Sequence, residues 1–249
     1  MSCAIALALT MLVVYVLTLN ASTPEVSQSV SAAPRITRRI TLEALEGWCV
    51  TLGRFDDADT ARVEAAGYAA RGAAGVVMPM DGAWQVLGAL YGSEKQARRM
   101  AEKLKGEGTA DADVLALTAG AVELRITAPE NQIDLIAASD GLLRDQVGQL
   151  AALAQRLDRG EVQSEAAKTL CALSATESGE LAAKLRACPG AAENGLCASL
   201  IDGLETLSRR LKDVVNSPNA AAASVSGMLR LVGIDTFTDL RDIRAGLGK

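Results

Sequence analysis

The chain has 249 residues, of which 49% are hydrophobic and 22% are charged, so it is long enough for one sizeable domain or two small ones with a buried core. Its formal net charge is −5 and it carries no basic block, so it lacks the electrostatic attraction that nucleic-acid binding needs. It contains no histidine, which excludes Ser-His-Asp and Cys-His catalysis and most zinc sites. We therefore expect no nucleic-acid partner, and any catalysis would rest on carboxylates, lysines or thiols.

The N-terminal segment is apolar and carries no charged side chain before Glu25. Its seventeen mostly apolar residues from Cys3 to Leu19 approach the lower limit of roughly 17 to 25 residues that a membrane-spanning helix needs. A cleaved signal peptide and a buried helix are the alternatives, but a signal peptide normally begins with basic residues. The segment therefore predicts an uncleaved transmembrane anchor over residues 1–20.

A stretch rich in Ser, Ala and Pro follows the apolar segment and shows no apolar periodicity. This composition predicts a flexible linker over residues 21–44. We expect a single-pass protein of the cytoplasmic membrane, with the residues after about 21 outside the cytoplasm. Arg35, Arg38 and Arg39 oppose that orientation, because the positive-inside rule favours basic residues on the cytoplasmic side. The sequence leaves this conflict open.

Two stretches of the chain resemble one another at an offset of thirty-six residues. Trp48 aligns with Trp84 and Val50 with Val86, and these are the only two tryptophans in the protein. Each copy starts with an alternating run typical of a strand, passes through a polar turn and continues as an alanine-bearing helix that glycines end. A second strand candidate follows each helix, at residues 75–80 and 113–118. The pattern predicts a strand–helix–strand unit twice over.

Two such units, joined by a short turn around Asp81 and Gly82, build a four-stranded sheet with both helices on one face. This is the split βαβ, or ferredoxin-like, arrangement, and a further strand ending at Ile126 is expected after it. We place this domain at residues 45–127.

The first copy also carries an aromatic-x-Val-x-Leu-Gly-x-Phe pattern followed by an alanine. The residues that carry it are Trp48, Val50, Leu52, Gly53, Phe55 and Ala61. With the second aromatic-x-Val strand, it resembles a SPOR domain over about residues 45–126, a third of the chain. The resemblance implies a domain outside the cytoplasmic membrane of a bacterium that binds peptidoglycan glycan strands stripped of stem peptides, at sites of cell division or sporulation.

Several residues depart from the family's pattern. Thr51 stands where glutamine is common, Gln85 and Leu87 flank the second valine where basic or polar residues are common, and Gly88 with the residue after it replaces Val-Gly. These departures lie where binding would occur. They favour the alternative that the domain does not bind glycan.

The helix-free face of the predicted sheet presents side chains that are out of phase with Val50 and Val86. These are Cys49, Thr51, Gln85 and Leu87. Polar groups at Thr51 and Gln85, an apolar platform at Leu87 and a basic group at Arg54 predict a glycan-binding site. The alternative is an ordinary solvated or partner-covered sheet face. Trp48 and Trp84 are in phase with the core and are expected there.

Residues 128–249 show helical periodicity, with apolar residues at steps of three and four. Stops near Gly160, Cys188 and Pro218 divide the region into four helical segments, and the second and fourth segments could each be interrupted. A helical bundle that binds a protein partner or self-associates is expected. Cys188 and Cys197 flank a turn-rich segment that would permit a disulfide, although small buried side chains are the favoured interpretation.

The sequence thus predicts an α+β protein: an N-terminal transmembrane helix, a ferredoxin-like (split βαβ, SPOR-like) domain and a C-terminal all-α helical region. We expect a non-catalytic, membrane-anchored cell-envelope protein that binds peptidoglycan glycan strands, without cofactor, metal or catalytic residues. The alternative is an envelope scaffold for protein–protein interaction whose ferredoxin-like domain does not bind glycan.

Overall fold

The computed structural model describes residues 34–247, and the chain from Arg35 onward forms one compact unit. Its strands are β1 (Arg35–Leu42), β2 (Leu45–Phe55), β3 (Val76–Met80), β4 (Ala83–Tyr91), β5 (Asp113–Ala119) and β6 (Val122–Pro129). Its helices are α1 (Ala58–Ala70), α2 (Glu94–Gly106), α3 (Glu130–Asp158), α4 (Ser164–Arg186), α5 (Gly195–Asn216) and α6 (Ala222–Leu247).

A four-stranded sheet of order β3-β4-β2-β5 lies at the centre, and all its neighbouring strands are antiparallel. The units β2–α1–β3 and β4–α2–β5 are the two strand–helix–strand repeats that the sequence predicts. Asp81 and Gly82 join them in a two-residue hairpin with φ of 48° and 75°. Positive φ at both central residues is typical of a type I′ turn, which Asp-Gly favours.

Helices α1 and α2 pack on one face of this sheet, which we call the helix-bearing face. The side chain of Asp57 caps α1 by accepting bonds from the amides of Asp59 and Thr60, and Ser93 caps α2 in the same way. Both helices turn alanines towards the sheet. The buried alanines are Ala61 and Ala65 in α1 and Ala97 and Ala101 in α2.

A second sheet pairs β1 with β6 along their whole length. Residues 35–42 therefore form a strand, which corrects the C-terminal part of the predicted flexible linker, residues 21–44; residues 21–33 lie outside the described part of the chain. The polar side chains of β1 obscured a period-two pattern, in which Ile40 and Leu42 turn inward while Arg39 and Thr41 stay exposed. The hydroxyls of Thr37 and Thr127, 2.8 Å apart, add a cross-strand hydrogen bond.

The four helices α3 to α6 form a bundle, and α4 and α6 run without the interruptions that the sequence allowed. Hydroxyl groups inside them bond to carbonyls of their own helix one turn earlier, so they do not compete for the helix's amides. Thr176 bonds to Ala172 and Ser178 to Ser174 in α4, and Thr236 bonds to Val232 in α6. The cysteines at 188 and 197 are free and buried, and no disulfide joins them.

The bundle covers the sheet face opposite α1 and α2, which we call the bundle face. Cys49 and Leu87 on this face are 0% exposed and share one hydrophobic core with Leu143 of α3 and Phe237 of α6. The prediction of a helix-free face is therefore corrected. Amphipathic periodicity showed that the C-terminal helices bury one side, but it did not show that part of that side lies against the sheet. The predicted boundary near residue 127 marks a change of secondary structure and does not divide the core.

Two arginines of α6 join the bundle to the sheet domain. Arg244 is 3% exposed and donates two 3.0 Å hydrogen bonds to the equally buried carboxylate of Asp140 in α3. Its second terminal nitrogen, Nη1, donates to the carbonyls of Glu43, in the β1–β2 connection, and of Ala119 and Gly120, where β5 ends. This buried charge pair therefore holds both chain connections at one end of the sheet.

The second arginine, Arg230, lies next to the turn that follows α1. Its guanidinium donates to the carbonyl of Gly72 and to the carboxylate of Asp158 in α3. Gly72 has a φ of +94°, and a Cβ built on it would lie 2.8 Å from the carbonyl oxygen of Ala223 at the start of α6. Only glycine allows the two backbones to approach this closely.

The predicted fold class requires one further correction. It included an N-terminal transmembrane helix, yet none of the helices between residues 34 and 247 is both long and apolar enough to cross a membrane. Each long helix carries charged side chains along its exposed side, as bundle helices do. The predicted anchor, residues 1–20, lies outside the described residues. The described chain is α+β, with six helices and two small sheets.

Candidate functional site

An open groove of about 600 Å³ lies at the end of the bundle face where the central strand β2 finishes. We call it the sheet-end groove. Three of the four residues predicted to bind glycan line it: Thr51, Arg54 and Gln85. The end of α2, the connection after it and the start of β5 form most of the remaining wall, at residue 105 and residues 110–115. The structure thus brings most of the predicted site together in a concave surface of the size that small ligands occupy.

An irregularity in β2 explains how Thr51 and Arg54 share a face. Strict alternation would place residues three apart on opposite faces of a strand. The pairing of β2 with β4 shifts register at Thr51 and again before Gly53, which is a β-bulge. Beyond the bulge Arg54 lies opposite Gln85, while Phe55 turns towards the helix-bearing face. The bulge therefore aims Arg54 into the sheet-end groove.

Hydrogen bonds hold two of the groove's side chains. The hydroxyl of Thr51, which is 6% exposed, donates to the carbonyl of Asp113 at 3.3 Å. The guanidinium of Arg54 donates to the carbonyl of Asp81 at 3.2 Å. Gln85 is half-buried and completes the polar row on β4. A hydroxyl, an amide and a guanidinium are thus presented side by side.

The charges around the sheet-end groove almost cancel. Arg54 and Lys105 are its basic side chains, and three carboxylates oppose them: Asp56, Asp111 and Asp113. Such a set gives no strong field for either a cation or an anion. It suits a neutral ligand that is rich in hydroxyl and amide groups.

The fourth predicted residue, Leu87, is not in the groove. It is 0% exposed in the core beneath the bundle, so it cannot serve as an apolar platform for a sugar in this conformation. Cys49 lies in the same core, where burial raises the pKa of its thiol to about 12. Trp48 and Trp84 are half-buried against the cluster beneath α1 and α2, as expected for core residues.

Sequence reasoning missed the bulge and the loop residues that complete the groove. Gly53 was the available indication, because glycine inside a strand often marks a bulge. A Cβ built on Gly53 would lie 2.8 Å from the ring of Phe55, so the ring depends on this glycine for its place. The contributions of Lys105 and Asp111 carried no sequence pattern, since they depend on where the end of α2 and the loop after it lie beside the sheet.

Within residues 34–247, no group of three or more cysteine, aspartate and glutamate side chains is arranged to hold a metal ion. Comparison with known proteins adds no assignment: no family model matches the chain, and no curated protein or solved structure is significantly similar to it.

Proposed function

We propose that the protein is a non-catalytic binding protein of the bacterial cell envelope that holds peptidoglycan glycan strands in the sheet-end groove. The observation that carries the proposal is the convergence of Thr51, Arg54 and Gln85 in one open groove. Sugars are bound by a few placed hydrogen-bonding groups on a concave surface, and these three residues supply donors and acceptors for hydroxyl and acetamido groups. The SPOR-like pattern around Trp48 and Trp84 supports the same ligand class.

The charges of the groove favour one form of that ligand. Stem peptides add carboxylates to the glycan, and three carboxylates already surround the groove against two basic groups. This slight acidic excess disfavours peptide-bearing strands more than stripped glycan, which keeps only the lactyl carboxylates of its muramic acid units. We propose that the protein acts outside the cytoplasm, on stripped glycan of the kind exposed at division or sporulation sites.

The bundle limits the length of sheet that is open to a glycan strand. Because the bundle buries Cys49 and Leu87, a glycan strand cannot lie along the whole sheet. The groove at its open end accommodates a short stretch of sugars or a strand terminus. We therefore expect binding to saturate with short glycan oligomers.

Sedimentation with isolated cell walls tests this proposal. The full chain is mixed with intact peptidoglycan and with amidase-stripped peptidoglycan, and the fraction that pellets is measured. We expect preferential retention on the stripped material, and a roughly fivefold to hundredfold loss of affinity in the double variant Thr51→Ala with Gln85→Ala, since each lost hydrogen bond costs about 0.5–1.5 kcal/mol. Thr118→Ala with Gln96→Ala, two exposed side chains outside the groove, is the matched control. If the parent protein is folded, as shown by a cooperative thermal transition, and is retained on neither material, the proposal is refuted.

A second function is favoured by the burial of the bundle face. Since this sheet already engages helices through Leu87 and its neighbours, the protein could instead be a scaffold for protein–protein interaction in the cell envelope. That function predicts no retention on either peptidoglycan preparation. It also predicts that the Thr51 and Gln85 variants behave like the parent.

A further inference from the structure

A second cavity lies on the other side of the sheet, between α1 and α2. It has a volume of about 330 Å³, within the range of small-molecule sites, and we call it the inter-helix cavity. Its wall is mainly apolar. The apolar side chains come from the sheet and from both helices: Val50, Leu52, Tyr68, Ala89, Met100 and Leu104.

The inter-helix cavity is open because the surrounding side chains are small. Ala73, Gly88 and Ala89 lie at its border, so no large side chain fills it from these three positions. The hydroxyl of Tyr68 is fixed at the wall by a 3.0 Å hydrogen bond to the carbonyl of Leu52. The apolar body of a ligand would therefore meet a surface that is already ordered.

Basic side chains border this apolar surface. Arg71, Lys103 and Arg230 line the cavity with a single carboxylate, Asp158, so basic groups outnumber acidic ones by two. Arg230 is committed to Asp158 and to the carbonyl of Gly72. Arg71 lies over the ring of Tyr68, 4.8 Å from its centroid. Lys103 has only an exposed contact of 3.7 Å with Glu107.

The hydroxyl of a tyrosine completes the inter-helix cavity. Tyr91 lines it and is 4% exposed, and its hydroxyl forms no hydrogen bond with any residue in the described part of the chain. Arg230 and Asp158, at the same wall, are close enough for their charges to act on this group. Because no described residue bonds to this hydroxyl, it is available to a ligand oxygen.

From these observations we propose that the inter-helix cavity binds a small amphipathic carboxylate, whose apolar body lies against Leu52, Met100 and Leu104. Arg71 and Lys103 bind its carboxylate, and Tyr91 donates a hydrogen bond to a ligand oxygen. Arginine suits this role because its planar guanidinium matches the two oxygens of a carboxylate. The site is separate from the sheet-end groove and does not depend on glycan binding.

Calorimetric titration of the full chain with sodium decanoate, below its micellar concentration, tests this site. Decanol and decyltrimethylammonium serve as neutral and cationic probes with the same chain. We expect decanoate to bind at least tenfold more tightly than decanol and the cation not to bind. Equal binding of all three would show non-specific adsorption and overturn the proposal, as would no binding of decanoate to the folded protein.

Variants locate the binding. Arg71→Gln with Lys103→Gln should weaken decanoate binding at least tenfold, and Tyr91→Phe should weaken it about threefold to tenfold. The matched control, Arg62→Gln with Lys95→Gln, removes exposed basic groups from the same two helices outside the cavity and should leave binding unchanged. Equal loss in the control pair, or no loss in the Arg71 and Lys103 pair, would place binding elsewhere and overturn the assignment.

Discussion

The two faces of the four-stranded sheet are covered in different ways. On the helix-bearing face, α1 and α2 meet the strands through alanines, and a cavity of about 330 Å³ remains between them. On the bundle face, leucines, cysteines and Phe237 fill the space, and the buried pair Arg244–Asp140 holds the helices in place. Small side chains bring the helices close to the sheet on the first face, whereas large ones fill the core beneath the bundle on the second. The inter-helix cavity lies on the first face, and the sheet-end groove lies at the open end of the second.

The largest effect should come from the arginine that holds the bundle face. Arg244→Met leaves the carboxylate of Asp140 buried without its partner and removes the donor to three carbonyls. Breaking a buried pair in this way costs about 3–5 kcal/mol, which urea denaturation measures. The double variant Asp140→Leu with Arg244→Met should recover part of the loss. If Arg244→Met is as stable as the parent protein, Arg244 does not hold the bundle to the sheet.

The helix-bearing face should resist larger side chains. Ala97 of α2 is 0% exposed against the sheet, so Ala97→Leu overpacks this contact and should lower the free energy of unfolding by about 1–3 kcal/mol. The matched control is Ala66→Leu on the exposed side of α1, where a change within about 0.5 kcal/mol is expected. If both variants are equally stable, the alanine contact is looser than the structure indicates.

The bundle face should also make stability depend on pH. Desolvation raises the pKa of Cys49 to about 12 from an ordinary value of 9.0, so in this interval the unfolded chain releases a proton that the native protein keeps. Stability should therefore fall as pH rises above 9, by up to about 1.4 kcal/mol per pH unit from this thiol. Cys49→Ala should reduce that slope, because it removes the thiol. An unchanged slope between pH 9 and 11 would show that Cys49 is not desolvated.

The smallest effect concerns the close approach of α6 to the turn after α1. Gly72 and Gly108 both have positive φ, but only Gly72 has a neighbouring backbone within 4 Å of an added Cβ. In both Gly→Ala variants, an L residue in this conformation lowers the free energy of unfolding by about 1–2 kcal/mol. Gly72→Ala should lose about 1 kcal/mol more, because α6 must move. Thermal unfolding measures both losses of stability. If the two variants lose the same amount, α6 does not press on this turn.

The sequence predicted the two strand–helix–strand units because their information is local: the Asp81–Gly82 turn, the caps at Asp57 and Ser93 and the alternating valines. It did not predict what lies on the bundle face, since periodicity identifies the apolar side of a helix and not its partner. The prediction of the glycan site was incomplete for the same reason. Thr51 and Gln85 do face one groove, but Leu87 is in the core, and Arg54 joins them only through the bulge near Gly53.

The most direct test of the covered bundle face is the alkylation rate of Cys49 in the native full chain. Iodoacetamide labelling is followed at Cys49 by peptide mass spectrometry, with the protein unfolded in urea as the reference. Because the bundle must leave the sheet before reagent reaches this thiol, we predict labelling at least about a thousandfold slower than in the unfolded chain. Labelling within tenfold of the unfolded rate would show that the bundle does not cover the sheet.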